Sequence, residues 1–366
     1  MFYHYFCIRL EYKNRMVNFY DISDWFEIPY INTKGTRNKC IVIEPNSRVE
    51  YYFKTSICKG AMDYKTEFWS EIIASKVGQA LGFNVLDYNI AKHKEEIGCL
   101  SRSMINEGEC LTEGISLLTG FDNTYHPSDK ESYSLYTFQF IEEAISSFGL
   151  SENMDDIIRT IIFDALIGNS DRHQENWGFI TPYQERVFTS EEAKSFLAKL
   201  KEHFRRIQDY ARGGTNNEDT SSDKPVKIKI LKIDGRYAPI YDSGCCLARE
   251  KSEDAVKLML KDKIRFESFI NRGQSEIRWE GNDKKLNHFE LIKRIKENHS
   301  DVIVNTINQV IALYNENKIR NIVFNIDNAL PTEFKDNERW ALSNDRKELI
   351  CRLIDERFKR LKIIVS

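Results

Sequence analysis

The sequence predicts an α+β chain of two lobes, a small β-rich lobe followed by a larger, mostly helical one. Three observations carry that prediction. Strand-like segments crowd the stretch before Glu109 around a single helix, and helical periodicity dominates after Gly120. The length, 366 residues, also exceeds the roughly 250 to 300 residues at which one hydrophobic core stops growing. With 41% hydrophobic and 30% charged residues the composition is that of a folded globular chain.

Taken in order, Cys40 to Ser56 reads CIVIEPNSRVEYYFKTS, two β-branched and aromatic runs around a Pro-Asn-Ser turn, which is a hairpin pattern. TEFWSEIIASKVGQALGF sets Phe68 and Ile72 on one side and Trp69, Ile73 and Val77 on another, and Gly82 stops that helix. VLDYNIAKH and EIGCLSRSMI follow as strands, and Asn106-Glu107-Gly108-Glu109 makes a polar bend. LYTFQFIEEAISSFG and MDDIIRTIIFDALIGN then carry apolar residues at three and four spacing, the start of the helical lobe.

Ser190 to Arg212 has the stripe Phe196, Leu197, Leu200, Phe204 and Ile207 of an amphipathic helix, capped by Ser190. Gly213 to Lys224 is small and polar, a loop pattern. VKIKILKIDGRYAPIYDSG offers two strands with Asp234-Gly235 as a hairpin turn between them. From Glu253 onward the pattern is helical, most clearly in LIKRIKENHSDVIVNTINQVIALYNENK and DRKELICRLIDERFKRLKIIV.

Several function classes are disfavoured. A net charge of −3 gives no global attraction to nucleic acid, which leaves only a substrate that is itself RNA-bound. No apolar run approaches the ~18 to 20 residues that cross a bilayer, and the first ten residues lack the basic region of a signal peptide. Eight cysteines without a CxxC pair imply free thiols in a reducing cytoplasm, and no histidine stands at zinc-ligand spacing from another His or Cys.

The chemistry gathers in FDALIGNSDRHQENWGFI, Phe163 to Ile180. Asp171, Arg172, His173, Glu175 and Asn176 follow an apolar helix directly, and a second carboxylate, Asp242, stands at a strand end in IYDSG. Two such oxygen sites suit magnesium, a hard cation that takes one or two protein ligands and completes its shell with phosphates and water. Asp171 and Asn176 stand as D-x-x-x-x-N, the spacing at which one residue faces an acceptor hydroxyl and the other turns to metal. Lys54, in the half-buried strand YYFKTS, is costly unless paired, and an α- or β-phosphate together with a helix glutamate would pair it.

GNSDRHQENWGF followed by IYDSG resembles the corresponding segments of HipA-like serine/threonine kinases, including small stand-alone bacterial members of the CtkA type. More distantly it resembles phosphatidylinositol kinases. The resemblance implies a bilobal protein-kinase-like fold, an N-lobe over residues 1–105 and a C-lobe over 106–366, using ATP and Mg2+. It makes Asp171 the catalytic residue, Asn176 and Asp242 metal ligands, and Lys54 the nucleotide lysine. Glu67 stands where the family has its N-lobe helix acid, with Glu71 a rival for Lys54. Ser103, Met104 and Ile105 would meet adenine, and KGTRNK, with Gly35 and Thr36, would cover the phosphates.

The resemblance further implies autophosphorylation in or near that loop, with Thr33 and Thr36 as candidates. The acceptor would be a Ser or Thr of a protein, and an antitoxin-like regulator is a further implied partner. The role would be that of a bacterial toxin-type kinase in the cytoplasm, with secretion as an effector left open. The chain departs from larger HipA proteins in lacking room for their N-terminal subdomain and in carrying an insert at about residues 183–225. His173 reads as a brace for the loop and Asp164 as a structural hydrogen-bond partner. A lipid kinase of the same fold and a silent kinase-like binding module are the alternatives.

Overall fold

The computed structural model describes residues 17–29, 39–59, 62–188, 226–231, 235–282, 284–335, 337 and 339–366. The expected hairpin forms as β3 (Lys39–Ile43) and β4 (Glu50–Lys54), antiparallel with Ile41 opposite Tyr52. It joins β1 (Phe19–Asp21), β2 (Phe26–Glu27), β7 (Tyr88–His93) and β8 (Glu96–Arg102) in a six-stranded sheet of order β1-β7-β8-β4-β3-β2. Only β1 and β7 run parallel. The small pair β5 (Cys58–Lys59) and β6 (Met62–Asp63) stands apart.

Helix α1 (Glu67–Ala80) lies against β7 and β8 on one side and against α9 (Glu316–Phe324) on the other. Its residues from Glu67 through Gly78 are all buried, so the polar face that a surface helix would show is absent. Both faces are covered because the helix is wedged between the sheet and the helical lobe, and the Trp69 indole donates to the Trp340 carbonyl at 2.6 Å. Gly82 ends the turn with φ of 80°, as its position in the sequence implied.

After β8 the chain leaves the first sheet. β9 (Glu109–Glu113) pairs with β10 (Gly178–Phe188) in a second sheet. Helices α2 (Gly114–Phe121), α3 (Phe138–Ser147) and α4 (Met154–Ile167) follow β9. After the second sheet come α5 (Glu253–Lys261), α6 (Lys263–Arg272), α7 (His288–Lys296), α8 (Ser300–Leu313), α9, α10 (Thr332–Lys335) and α11 (Asn344–Val365). α4 is the central rod, touching α7, α8 and α11, and its isoleucines and Phe163 are buried on every side. Each such fully buried side chain is worth about 1.5–3 kcal/mol of hydrophobic stabilisation, and together they hold the end of α4 rigid.

One expectation needs correcting. Strands β11 (Val226–Leu231) and β12 (Arg236–Tyr237) do not form a hairpin about Asp234-Gly235. Both run antiparallel to β10, with Tyr183 opposite Leu231 and Phe179 opposite Tyr237, so they follow one another along the same partner. A strand as long as β10 offers two partners end to end, which overrides the local turn preference. The ladder continues to Phe188 opposite Val226. The helix expected at Ser190 to Arg212 and the loop at Gly213 to Lys224 lie outside the described residues.

Candidate active site

α4 ends at Gly168, whose φ of 72° lets the N–H groups of Gly168 and Asn169 turn back to the Asp164 carbonyl at 2.8 and 2.9 Å. That reversal launches the polar segment from Ser170 to Trp177. Arg172, which the sequence reading left without a role, is its anchor. Its guanidinium is buried, with Nε and Nη2 donating to the two carboxylate oxygens of Asp164 at 2.9 and 2.8 Å. Nη1 donates to the carbonyls of Asn176 (2.7 Å) and Tyr241 (2.6 Å), and Nη2 reaches Ser243 Oγ at 3.1 Å. Burial alone would lower its pKa; the Asp164 charge and hydrogen bonds outweigh that and hold the guanidinium above its ordinary pKa. One side chain thereby ties α4, the polar segment and the Tyr241–Ser243 strand end together.

Further braces come from outside the segment. The Tyr136 hydroxyl donates to the Arg172 carbonyl (2.9 Å) and accepts from the Trp177 indole (2.9 Å), while the Tyr241 hydroxyl donates to the Glu175 carbonyl (3.0 Å). His173 Nδ1 accepts from the Glu175 N–H at 3.3 Å, a contact within the loop, in keeping with bracing. The Asn176 amide nitrogen donates to the Asp171 carbonyl at 2.7 Å, which directs the other end of that amide, an oxygen, away from the loop.

Asp171 has a neighbour that the sequence did not signal. The Cys245 thiol donates to Asp171 Oδ2 at 3.0 Å and accepts from Arg249 Nη2 at 2.9 Å. Nothing in the spacing of two residues so far apart could reveal this; the only hint is that Cys245 follows DSG directly.

Asp242 adopts a left-handed backbone, φ 52°, uncommon for a residue with a side chain and strained enough to need support. The support is local: Arg172 holds Tyr241 and Ser243 on either side, and the Ser243 N–H donates to Glu71 Oε1 at 2.9 Å. Asp242 Oδ1 lies 3.3 Å from Lys54 Nζ, both side chains mostly buried. The Tyr88 phenol lies against the same group, and burial, then the carboxylates of Glu71 and Asp242, holds it well above its usual pKa. Glu67 is engaged elsewhere, by Arg249 Nη1 at 3.1 Å and by the Ile57 N–H at 3.1 Å. Of the two helix acids, Glu71 is therefore the one joined by hydrogen bond to the residue beside Asp242.

Lys54, Asp171, Asn176 and Asp242 line one cleft of about 450 Å3 between the two sheets. Its other end is apolar, with Leu86, Met104, Ile105, Leu111 and Tyr241. Met104, Ile105, Leu86 and Leu111 pack against a small buried cluster of Ile180, Ala238 and Tyr241. Ser103, which also lines the cleft, is fixed by its N–H to the Glu50 carbonyl at 2.8 Å. One end is thus flat and greasy and the other charged, the division that a nucleotide presents. Gly35 and Thr36, with Thr33, lie outside the described residues.

A separate triad, Glu27, Cys40 and His93, brings potential ligand atoms within 4.8 Å of one another on the far side of the first sheet. Sheet pairing assembles it, which is why sequence spacing gave no zinc pattern. His93 Nε2 is already 3.3 Å from Glu27. Among the described residues, the cysteines Cys40, Cys99, Cys110, Cys245, Cys246 and Cys351 are free, and no helix is long and apolar enough to cross a membrane.

A β-rich lobe and a helical lobe facing each other across this cleft make a bilobal, protein-kinase-like α+β fold. The particular likeness is to the serine/threonine-protein kinase CtkA of Helicobacter pylori, 21% identical over 309 residues, which are 82% of this chain and 72% of that protein. The crystal structure of the Helicobacter pylori proinflammatory kinase CtkA matches with a TM-score of 0.65 at 18% identity, covering 94% of this chain and 96% of that one. HipA of Shewanella oneidensis, solved with HipB and operator DNA, matches with a TM-score of 0.47 at 10% identity, covering 97% of this chain and 70% of HipA. No protein-family model matches the chain. In sequence and in fold the chain is thus similar to CtkA, the resemblance that its two motifs implied.

Proposed function

We propose that this chain is an ATP-dependent serine/threonine protein kinase of the HipA-like type. The observation that carries the reading is the Lys54–Asp242 pair, 3.3 Å apart, on the wall of a cleft that Asp171 and Asn176 also line. Adenine lies in the apolar end, against Met104, Ile105 and Leu111, with backbone of Ser103 to Ile105 at its edge. Lys54 holds the α- and β-phosphates. Asp171 accepts the hydrogen bond of the acceptor hydroxyl and orients its oxygen toward the γ-phosphorus.

The donor set of Asp242 carboxylate and Asn176 amide oxygen fits a hard divalent cation, and these two residues would hold Mg2+. When bound, that ion neutralises charge on the β- and γ-phosphates. Asp242 depends for its position on Arg172 and on the Ser243–Glu71 bond, so Glu71 positions Asp242, while Glu67 secures Arg249 and through it Cys245. By the family resemblance Gly35 and Thr36 belong to the segment that would contact the phosphates, and a regulator comparable to an antitoxin acts on the same kinase in the cytoplasm. The test is Mg2+-dependent transfer of 32P from γ-labelled ATP to a seryl or threonyl residue, in this chain or in an added protein.

A further inference from the structure

A second cavity, of about 820 Å3, opens close to Asp171 but is not lined by it. Its rim includes Ser170, the residue before Asp171, and Cys245, whose thiol bonds the Asp171 carboxylate. Asp171 itself lines the cleft and not this cavity, so the link between the two spaces is the Cys245 thiol, which lines the cavity and bonds the carboxylate. Deep in the wall lies Arg357 of α11, 2% exposed. Its hydrogen bond among the described residues is from Nη1 to the Ala165 carbonyl at 3.0 Å, and no carboxylate among them pairs with it.

The cost of that burial is visible: loss of water, then repulsion from Arg360, pulls the guanidinium down to about 10. The chain has nevertheless cleared space for it. A Cβ on Gly168 would come within 2.7 Å of Arg357 Cζ, and one on Gly273 within 2.9 Å of Nη2. Beside it, His288 is buried with neither ring nitrogen bonded. At the mouth, Arg272 is exposed and also lacks a carboxylate partner among the described residues, whereas Arg265 faces Asp262 at 3.8 Å and Lys251 faces Glu250 at 3.3 Å. A buried guanidinium with one neutral acceptor is a group waiting for an oxyanion, since an unpaired buried charge costs several kcal/mol by general experience.

We infer that this cavity is an anion subsite that receives an acidic or phosphorylated side chain of the protein acceptor, next to the hydroxyl presented to Asp171. The inference rests on the kinase reading for the identity of the occupant, but not for the existence of the subsite. Two measurements separate these. Inorganic phosphate, titrated into the intact chain, raises the Tm by about 2 °C or more at ten times its Kd. The Arg357→Met variant loses that rise and keeps the rise caused by ATP. A phosphate effect that persists in Arg357→Met, or none in the unaltered chain, overturns the subsite.

The second measurement compares seryl peptides carrying glutamate or phosphoserine beside the acceptor with a glutamine analogue. The acidic peptides are used with kcat/KM at least tenfold higher, the worth of one charge-assisted hydrogen bond. Arg272→Gln lowers that preference through KM rather than kcat. Equal use of acidic and neutral peptides overturns the acceptor role. Transfer to no acceptor at all, beside an Arg357-dependent phosphate effect, overturns the kinase reading and leaves the subsite standing.

Discussion

Among the described residues three arginines of the helical lobe are buried at 2% exposure, Arg172, Arg346 and Arg357, and the first and last of them are solved in opposite ways. Arg172 meets a bidentate carboxylate, two carbonyls and a hydroxyl. Arg357 meets one carbonyl and a cavity. The first arrangement leaves nothing for a ligand to add, so it can only hold structure; the second holds little structure and leaves donors over. Satisfaction of the guanidinium, more than its burial, separates a strut from a receptor.

The comparison breaks most sharply at Asp164. Asp164→Ala leaves Arg172 charged, buried and without its carboxylate, and removal of one partner from such a pair costs about 3–5 kcal/mol. Urea unfolding should show that loss, whereas Arg357→Met should leave the midpoint nearly unchanged in phosphate-free buffer. Adding Arg172→Met to Asp164→Ala should restore much of the stability but not phosphoryl transfer, because Tyr241 to Ser243 lose their anchor.

Next in size is the effect of acid. Burial, then Arg357, pulls His288 from its ordinary 6.5 to about 3. Between those values the unfolded chain binds a proton that the folded chain refuses, so stability falls as the pH drops from 6.5 toward 3. The slope from this group is at most about 1.4 kcal/mol per pH unit. His288→Phe should flatten that limb of a Tm-against-pH curve; an unchanged limb would show that His288 is solvated in solution.

The smallest effect lies at the rim. Arg236 pairs with Glu109, whose carboxylate is held down to about 2, chiefly by the Arg236 hydrogen bond and the Asn106 N–H. Arg236 is half exposed, and exposed pairs contribute about 0–1 kcal/mol. Glu109→Gln should therefore shift the urea midpoint only slightly, and a shift as large as that of Asp164→Ala would overturn the contrast between buried and exposed pairs.

What could be read beforehand divides along physical lines. The β3–β4 hairpin, α1, α4 and the C-terminal helices were legible because period and turn chemistry are local. The Asp234-Gly235 hairpin was misjudged because a partner strand outside the local window, β10, takes both flanking strands. Asp171, Asn176, Asp242 and Lys54 were singled out individually, and the fold brings all four to one cleft. Arg172, Cys245 and Arg249 were not, because their meaning comes from partners distant in the chain: Asp164 across a helix end, Asp171 across a loop, Glu67 across the lobes. The choice between Glu67 and Glu71 is of the same kind. They are one turn apart on one helix, and only their partners tell them apart.

The most direct test of the central claim is 32P transfer from γ-labelled ATP by the purified chain and by its Asp171→Ala and Asp242→Ala variants, with folding checked by Tm. The account predicts Mg2+-dependent label on serine or threonine with the unaltered chain and a loss of at least about 100-fold in each variant, both remaining folded. Label incorporated by either variant at the unaltered rate would contradict it, as would an unaltered chain that binds ATP and labels no protein, itself included.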